Sequence, residues 1–488
     1  GNYYRRLLHL LYTNKYFYQI TGGILIVYSF CFRLITVDTK ILFLRFNIFI
    51  VVFRPQIFIN IFNISELRRK ILYTLGLLIV YRLGAHIPVI GIDISALRAM
   101  MEQSSTLGGI FKYIDLFSGG MLQSGTLFAL GIMPYITASI MMQMATMTIP
   151  SLELLQKEGE YGRKIINQYT RYLTLAVGVV QSLSLAFILE RNNLVITPGW
   201  GFRLLLVLSL TVGSLFVMWL GEQISLFGLG NGSSMIIFAG IVARLPEDAI
   251  KTVYQVQQGL MNGYVSLALV LLFIAIAACI VFLEKGERKI PVQYTRRVVG
   301  QRVFGGQSTY IPFKINVPGV MPVIFAGAVL NLPMFAAAML SDKFAIFKWV
   351  SESMVPTGIL YNIIEFVLII FFSFFYTALV YNPDELADNM KKSGGHIPGI
   401  RPGRKTSEFF NYILTRIGLV GAIYLAILAL LPNILRMFVQ MPFNLGGTSL
   451  LIVVGVALDT AAQIESYLIE HRYEGFLSTG RMKMRGVR

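Results

Sequence analysis

Long apolar runs recur along the chain, each bounded by charged or helix-breaking residues. From residue 71 onward, ten of them approach the roughly 20 residues that a helix needs to cross hydrocarbon. They lie at about 71–90, 126–148, 170–189, 203–220, 232–245, 264–283, 318–340, 361–380, 414–431 and 447–466. The fifth is short as drawn, and the glycines that follow Leu226 predict an earlier start for it. In the second, Ile132 and Ile136 are four apart and so share one helix face. Pro134 between them removes a backbone hydrogen bond and predicts a kink.

The polar stretches between these runs set an orientation. Segment 284–316 carries Lys285, Arg288, Lys289, Arg296, Arg297, Arg302 and Lys314 against Glu284 and Glu287. Segment 381–416 carries Lys391, Lys392, Arg401, Arg404, Lys405 and Arg416. Two spans separate these loops, so they share a side, which the positive-inside bias makes cytoplasmic. The connection between them, 341–360, holds only Lys343 and Lys348 against Asp342 and Glu352. Extending the alternation puts 66–70, 149–169 and the basic C-terminal tail on the cytoplasmic side too. The expected architecture is an all-α polytopic membrane protein with an even span count and both termini inside. Ten spans also divide into two sets of five, as in the inverted repeats of transport proteins.

Composition agrees. Of 488 residues, 55% are hydrophobic and only 14% charged, where a soluble domain is nearer a quarter. Mean hydropathy is +0.66. The net charge of +17 is spread through the loops, so nucleic-acid binding is a weak reading, with ribosomal RNA phosphates the narrower possibility. Cys31 and Cys279 both sit in apolar stretches, and His9, His86, His396 and His471 are scattered, so no disulfide framework, cofactor or metal site is expected.

One loop is unusual. "KKSGGHIPGIRPG", residues 391–403, packs four glycines, two prolines and four basic or imidazole side chains between two spans. Orientation explains its basicity; it does not explain so defined a turn. Its continuation, "GIRPGRKTSE", is not a phosphate-binding loop, because Arg404 interrupts the Gly-Lys-Ser/Thr junction and the preceding element is a membrane helix. "GLGNG" (228–232) lacks dinucleotide-site spacing. No nucleophile, base and orienting group cluster, so a membrane hydrolase is disfavoured. A secondary transporter would concentrate ionisable groups at midplane; Glu365 and Asp459 are the main candidates, and both lie near span ends.

Several long motifs occur in order: "FSGG" (117–120), "FALGIMPYITASI" (128–140), "KEGEYGRKIINQYTRY" (157–172), "WLGEQIS" (219–225), "GLGNGSSMIIFAGIVA" (228–243), "GGQSTYIPFKIN" (305–316), "FFYTALVYNPDELADNMKKSGGHIPGIRPG" (374–403) and "GGTSLLIVVGVALD" (446–459). Together they resemble the SecY family of channel subunits over about residues 54–485. The resemblance implies two pseudo-symmetric five-helix halves, 54–245 and 246–488, around an hourglass pore. It makes Ile132, Ile136, Ile237, Ile324 and Ile452 the pore ring, and 111–125, with Phe117, Ser118, Gly119 and Gly120, a plug. It puts Gln143 at a lateral gate between spans 126–148 and 318–340, and Arg302 and Arg401 in a docking surface for the SecA ATPase or the ribosome. It further implies SecE and SecG subunits, secretory and membrane protein substrates, release of apolar segments into the lipid bilayer, and energy supplied by a partner rather than by enzymatic activity of the chain. The membrane would be the bacterial plasma membrane or, alternatively, the thylakoid. Residues 1–53 have no counterpart in the resemblance. They are basic, contain two short apolar stretches (20–32 and 41–53), and admit a targeting segment, an interfacial helix, a spanning hairpin or translated upstream sequence.

Overall fold

The computed structural model describes residues 64–102, 111, 115, 118–259, 262–294, 297–299, 302–304, 308–340, 358–438 and 447–484. The readings for 1–53 lie outside them. The chain divides into two units, Gly1–Arg68 and Arg69–Arg488. Of the first, only residues 64–68 are described.

Each of the ten predicted spans coincides with a helix. In order these are α1 (Ser65–Gly84), α3 (Met133–Thr148), α5 (Glu160–Arg191), α6 (Trp200–Phe227), α7 (Gly232–Gln257), α8 (Gly263–Glu284), α9 (Met321–Leu340), α10 (Ile359–Val380), α12 (Arg404–Phe438) and α13 (Gly447–Met484). Shorter helices α2 (Ile94–Glu102), α4 (Pro150–Lys157) and α11 (Pro383–Lys392) lie between them. Among the described residues, six helices are long and apolar enough to cross a membrane. Their outward side chains are apolar, as with Leu204, Leu208, Ile274, Ile363 and Val420. Such a surface suits lipid and would be a liability in water.

Two spans differ from their predicted limits, for local reasons. The second does not kink at Pro134; it begins there. Residues 126–132 form turns, Gly131 adopts φ +54°, and Pro134 occupies the first helical positions, where its missing N–H costs nothing. The fifth does not start before residue 232. The Asn231 side chain caps α7 by accepting from the N–H groups of Ser233 and Ser234, and the helix instead runs on through Pro246 to Gln257. The boundary drawn at 245/246 therefore falls inside one helix.

The turn between α6 and α7 is tight. A Cβ on Gly232 would lie 1.8 Å from the Gly221 carbonyl oxygen, so this approach requires glycine. Gly232→Val should cost at least about 3 kcal/mol, since backbone on both sides must move. Thermal unfolding of the purified protein in detergent reads this as a lowered midpoint; an unchanged midpoint would mean the turn tolerates a Cβ.

The basic loops are not irregular. Residues 284–316 fold into an antiparallel ribbon of β1 (Glu287–Tyr294) and β4 (Ser308–Lys314), in register from Glu287 opposite Lys314 to Gln293 opposite Ser308. A second hairpin, β2 (Arg297–Val299) with β3 (Arg302–Phe304), lies within the ribbon's connection. The other basic loop supplies β5 (Gly395–His396), which pairs with β1 on the side away from β4. Ile290 and Val292 alternate inward on β1 and pack with Phe313, Ala387, Met390, Ile397, Phe410, Ile413 and Leu414. The two loops thus share one small apolar core, separate from the main one in the helical bundle.

Candidate pore, plug and gate

The five isoleucines come from four helices. Ile132 immediately precedes α3 and Ile136 lies within it; Ile237 is on α7, Ile324 on α9 and Ile452 on α13. All five are buried and belong to one apolar cluster. With α6, which carries none of the five, the helices that carry them form a closed circuit of packed neighbours: α3 against α9, α9 against α13, α13 against α7, α7 against α6, and α6 back against α3. Close approaches tighten the circuit. Gly221 of α6 admits the Cδ1 atoms of Ile132 and Ile236, each 3.4 Å from where its Cβ would be. Gly455 of α13 lies against Val320, just before α9. A ring of branched apolar side chains offers water and ions nothing to replace their hydration.

The predicted plug lies against α7. Phe117 is outside the described residues, and Ser118 and Gly119 are buried. Gly119 adopts φ +71°, and a Cβ there would sit 2.6 Å from the Gly240 Cα, so segment and helix touch backbone to backbone. Gly120 turns the chain at φ +89° over the Arg244 side chain. Met121 and Leu122 join the main apolar core. Arg244 was not a predicted site residue. Its guanidinium lies 2.7 Å from the Asp115 carboxylate, with both side chains nearly inaccessible. Burial pushes the Asp115 carboxyl above its usual range, and the neighbouring guanidinium pulls against this. A lone Arg in an apolar span, seven residues beyond Ile237, was the signal available in the sequence.

Gln143 is on α3, as expected, half-buried. Its Nε2 donates to Ser139 Oγ at 3.3 Å, and its buried Oε1 accepts no hydrogen bond. Helices α3 and α9, the two sides of the predicted gate, are packed together, and α9 also touches α5.

Arg302 begins β3 and pairs with Val299, which places it at the tip of the inner hairpin. Arg401 is exposed between β5 and α12, and its carbonyl accepts from Thr406 Oγ1 at 3.0 Å. Gly399 and Gly403 flank it at φ +83° and +99°, which explains the helix breakers: the turn that presents Arg401 passes twice through the left-handed region. Glu365 shows a partner that the sequence does not reveal. It lies near the start of α10, as the sequence implies, but is fully buried among the helices, and Asn433 of α12 donates to it at 3.3 Å.

The SecY family profile matches residues 126–461. The protein translocase subunit SecY of Escherichia coli K12 is 44% identical over 428 residues, covering 86% of this chain and 96% of that one. Among solved structures, a protein conducting channel superposes with a TM-score of 0.59 at 19% identity, covering 82% of this chain and 92% of the other. Sec61 in a canine ribosome–channel complex from the endoplasmic reticulum gives 0.56 at 19% identity, with the same coverage. At such identities the structural likeness speaks to the fold.

Proposed function

The chain belongs to the SecY family, and from that membership we infer that it is a membrane channel which conducts unfolded secretory polypeptides and releases their apolar segments sideways into lipid. The observation that carries this reading is the contribution of five isoleucines, from four helices, to one buried cluster inside a closed circuit of packed helices. An apolar waist is selective in the required sense. A hydrated ion loses its shell there and gains nothing, whereas a polypeptide parts the flexible side chains and meets them with its own. Between α3 and α9, an apolar client segment gains roughly 25 cal/mol for each Å² that moves from channel water into lipid, and a polar one does not. Gln143 marks the polar side of that choice.

The plug is residues 111–125, and the two basic loops with their shared core form a rigid cytoplasmic docking platform. Arg302 at a hairpin tip and Arg401 on its stiff turn meet the driving partner, either the SecA ATPase or a translating ribosome. SecE and SecG complete the channel. The ends of the chain face the cytoplasm, and the membrane is the bacterial plasma membrane or the thylakoid. The chain hydrolyses nothing itself.

Reconstitution tests this. Vesicles holding the purified channel and its partners should take up an unfolded secretory precursor, and uptake should stop when the partner's ATP is withdrawn. Solute uptake without precursor movement would reject the reading in favour of a transporter.

A further inference from the structure

Arg244 and Asp115 form a buried ion pair between two elements far apart in sequence. The contact is built with more than one bond. Arg244 Nη1 donates to Asp115 Oδ2 at 2.7 Å and to the Asp115 carbonyl at 3.3 Å, while Nη2 reaches Gln123 Oε1 at 3.5 Å. The second carboxylate oxygen accepts from the Gln123 N–H at 3.0 Å and faces Ser118 Oγ at 3.4 Å. The Asp115 carbonyl also accepts from the Gly120 N–H at 3.0 Å and from Ser118 Oγ at 3.1 Å. Residues 115 and 123 are thereby tied to each other and to one arginine. The side chains are 1% and 9% exposed.

We propose that this pair is a latch: it holds Asp115 and residues 118–123 on α7, and its rupture releases them and unseals the pore. The proposal rests on the reading of 111–125 as the plug. Three features carry it. The first is register. Ile237, Gly240 and Arg244 stand at i, i+3 and i+7 and so share one face of α7. The pore-ring side chain, the backbone seat for Gly119 and the latch cation are on that single stripe, so a displacement of α7 that widens the ring also draws Arg244 away from Asp115.

The second is the chemistry of the contact. Apolar packing, such as that of Met121 and Leu122, weakens gradually as a segment slides. A buried charge pair does not: partial separation leaves both charges in a poorly solvating interior, and removing one partner strands the other. The segment is therefore stable when seated and when released to water, and least stable between. The third is the absence of slack. With Gly119 against the Gly240 Cα, the seated position is a single geometry.

The test uses purified channel in planar bilayers without client, together with a labelling assay. Wild type, Arg244→Met, Asp115→Leu, the double variant, and a deletion of residues 118–122 are compared. Each single variant should raise resting ion conductance about tenfold or more, because a stranded buried charge disfavours the seated state. The double variant should return to within about threefold of wild type, since no charge is then left unpaired. In a background with Cys31 and Cys279 changed to Ser, a Ser118→Cys thiol should react slowly with an impermeant maleimide in the wild-type latch and faster in Arg244→Met. Ser118 is 1% exposed, so the labelling rate reads seating directly even where a deletion fails to assemble. If the deletion leaks while Arg244→Met neither leaks nor labels faster, the latch is wrong and the plug reading stands. If the deletion assembles and does not leak, the plug reading itself is wrong. Single-variant effects that simply multiply in the double variant would also overturn the latch.

Discussion

Exchanging Ile237 and Ile452 together for serine opens the resting channel to ions. The two side chains come from neighbouring helices, α7 and α13, and both are buried in the main apolar cluster. Serine shortens the side chain and puts a hydroxyl where only methyl groups stood, so water gains both room and a hydrogen-bond partner. If the exchange takes about 3 kcal/mol from the barrier, flux rises by about a hundredfold. The same positions changed to valine keep the site apolar and should leave conductance within about twofold, since no hydrogen-bonding group is introduced. Single-channel recordings of the two pairs decide the matter. Equal conductance in the serine and valine pairs would remove both residues from the ring. Stability must be read alongside, because losing two buried isoleucines costs several kcal/mol in a packed core, and a melted bundle would leak for another reason.

Reversing the charge at Arg401 should stop driven transport while the channel still assembles. Arg401 is exposed, and its turn is held by Thr406, by the left-handed glycines on either side and by the small core that joins the two basic loops. Among the described residues, no hydrogen bond or ion pair joins its guanidinium to the bundle. A glutamate in its place confronts any acidic partner surface with like charge, at a cost of several kcal/mol. Precursor uptake with the driving partner should fall at least about tenfold, which corresponds to only 1.4 kcal/mol. Arg401→Lys should fall between the two, because a compact ammonium keeps the charge and loses the planar fork. Lys391→Glu, on the exposed end of α11 in the same loop, is the control for net charge alone. If it impairs uptake as strongly as Arg401→Glu, the loop acts through its overall charge and Arg401 has no particular contact. Normal uptake by Arg401→Glu would reject a driving contact there.

Different parts of this molecule were readable at different depths. The spans 264–283, 318–340 and 361–380 lie within about three residues of their helices at both ends, whereas α5 starts well before residue 170, α6 ends well after residue 220, and α12 and α13 run well past the hydrophobic stretch into polar sequence. The start of α3 was misread, because proline inside an apolar run signals either a kink or a first turn, and only Gly131 at positive φ shows which. The strands of 287–314 were treated as loop. Their alternation covers only Ile290 and Val292, and a charged ribbon with two buried positions resembles a solvated connection until its partner core exists. The candidate ring rested on resemblance, since any membrane isoleucine faces lipid or another helix more often than a pore.

The sequence alone determined where the chain becomes helical, and it set the expectation for the side on which its loops lie. Both are sums over many neighbouring residues: some twenty apolar side chains decide a span, and a handful of lysines and arginines decide a side. What only the tertiary structure decided were the single contacts between distant positions. Asp115 and Arg244 are 129 residues apart, Glu365 and Asn433 are 68 apart, and the two basic loops share one core. Such pairings arise when helices pack at fixed distances, and no local pattern of hydrophobic and polar residues contains that distance.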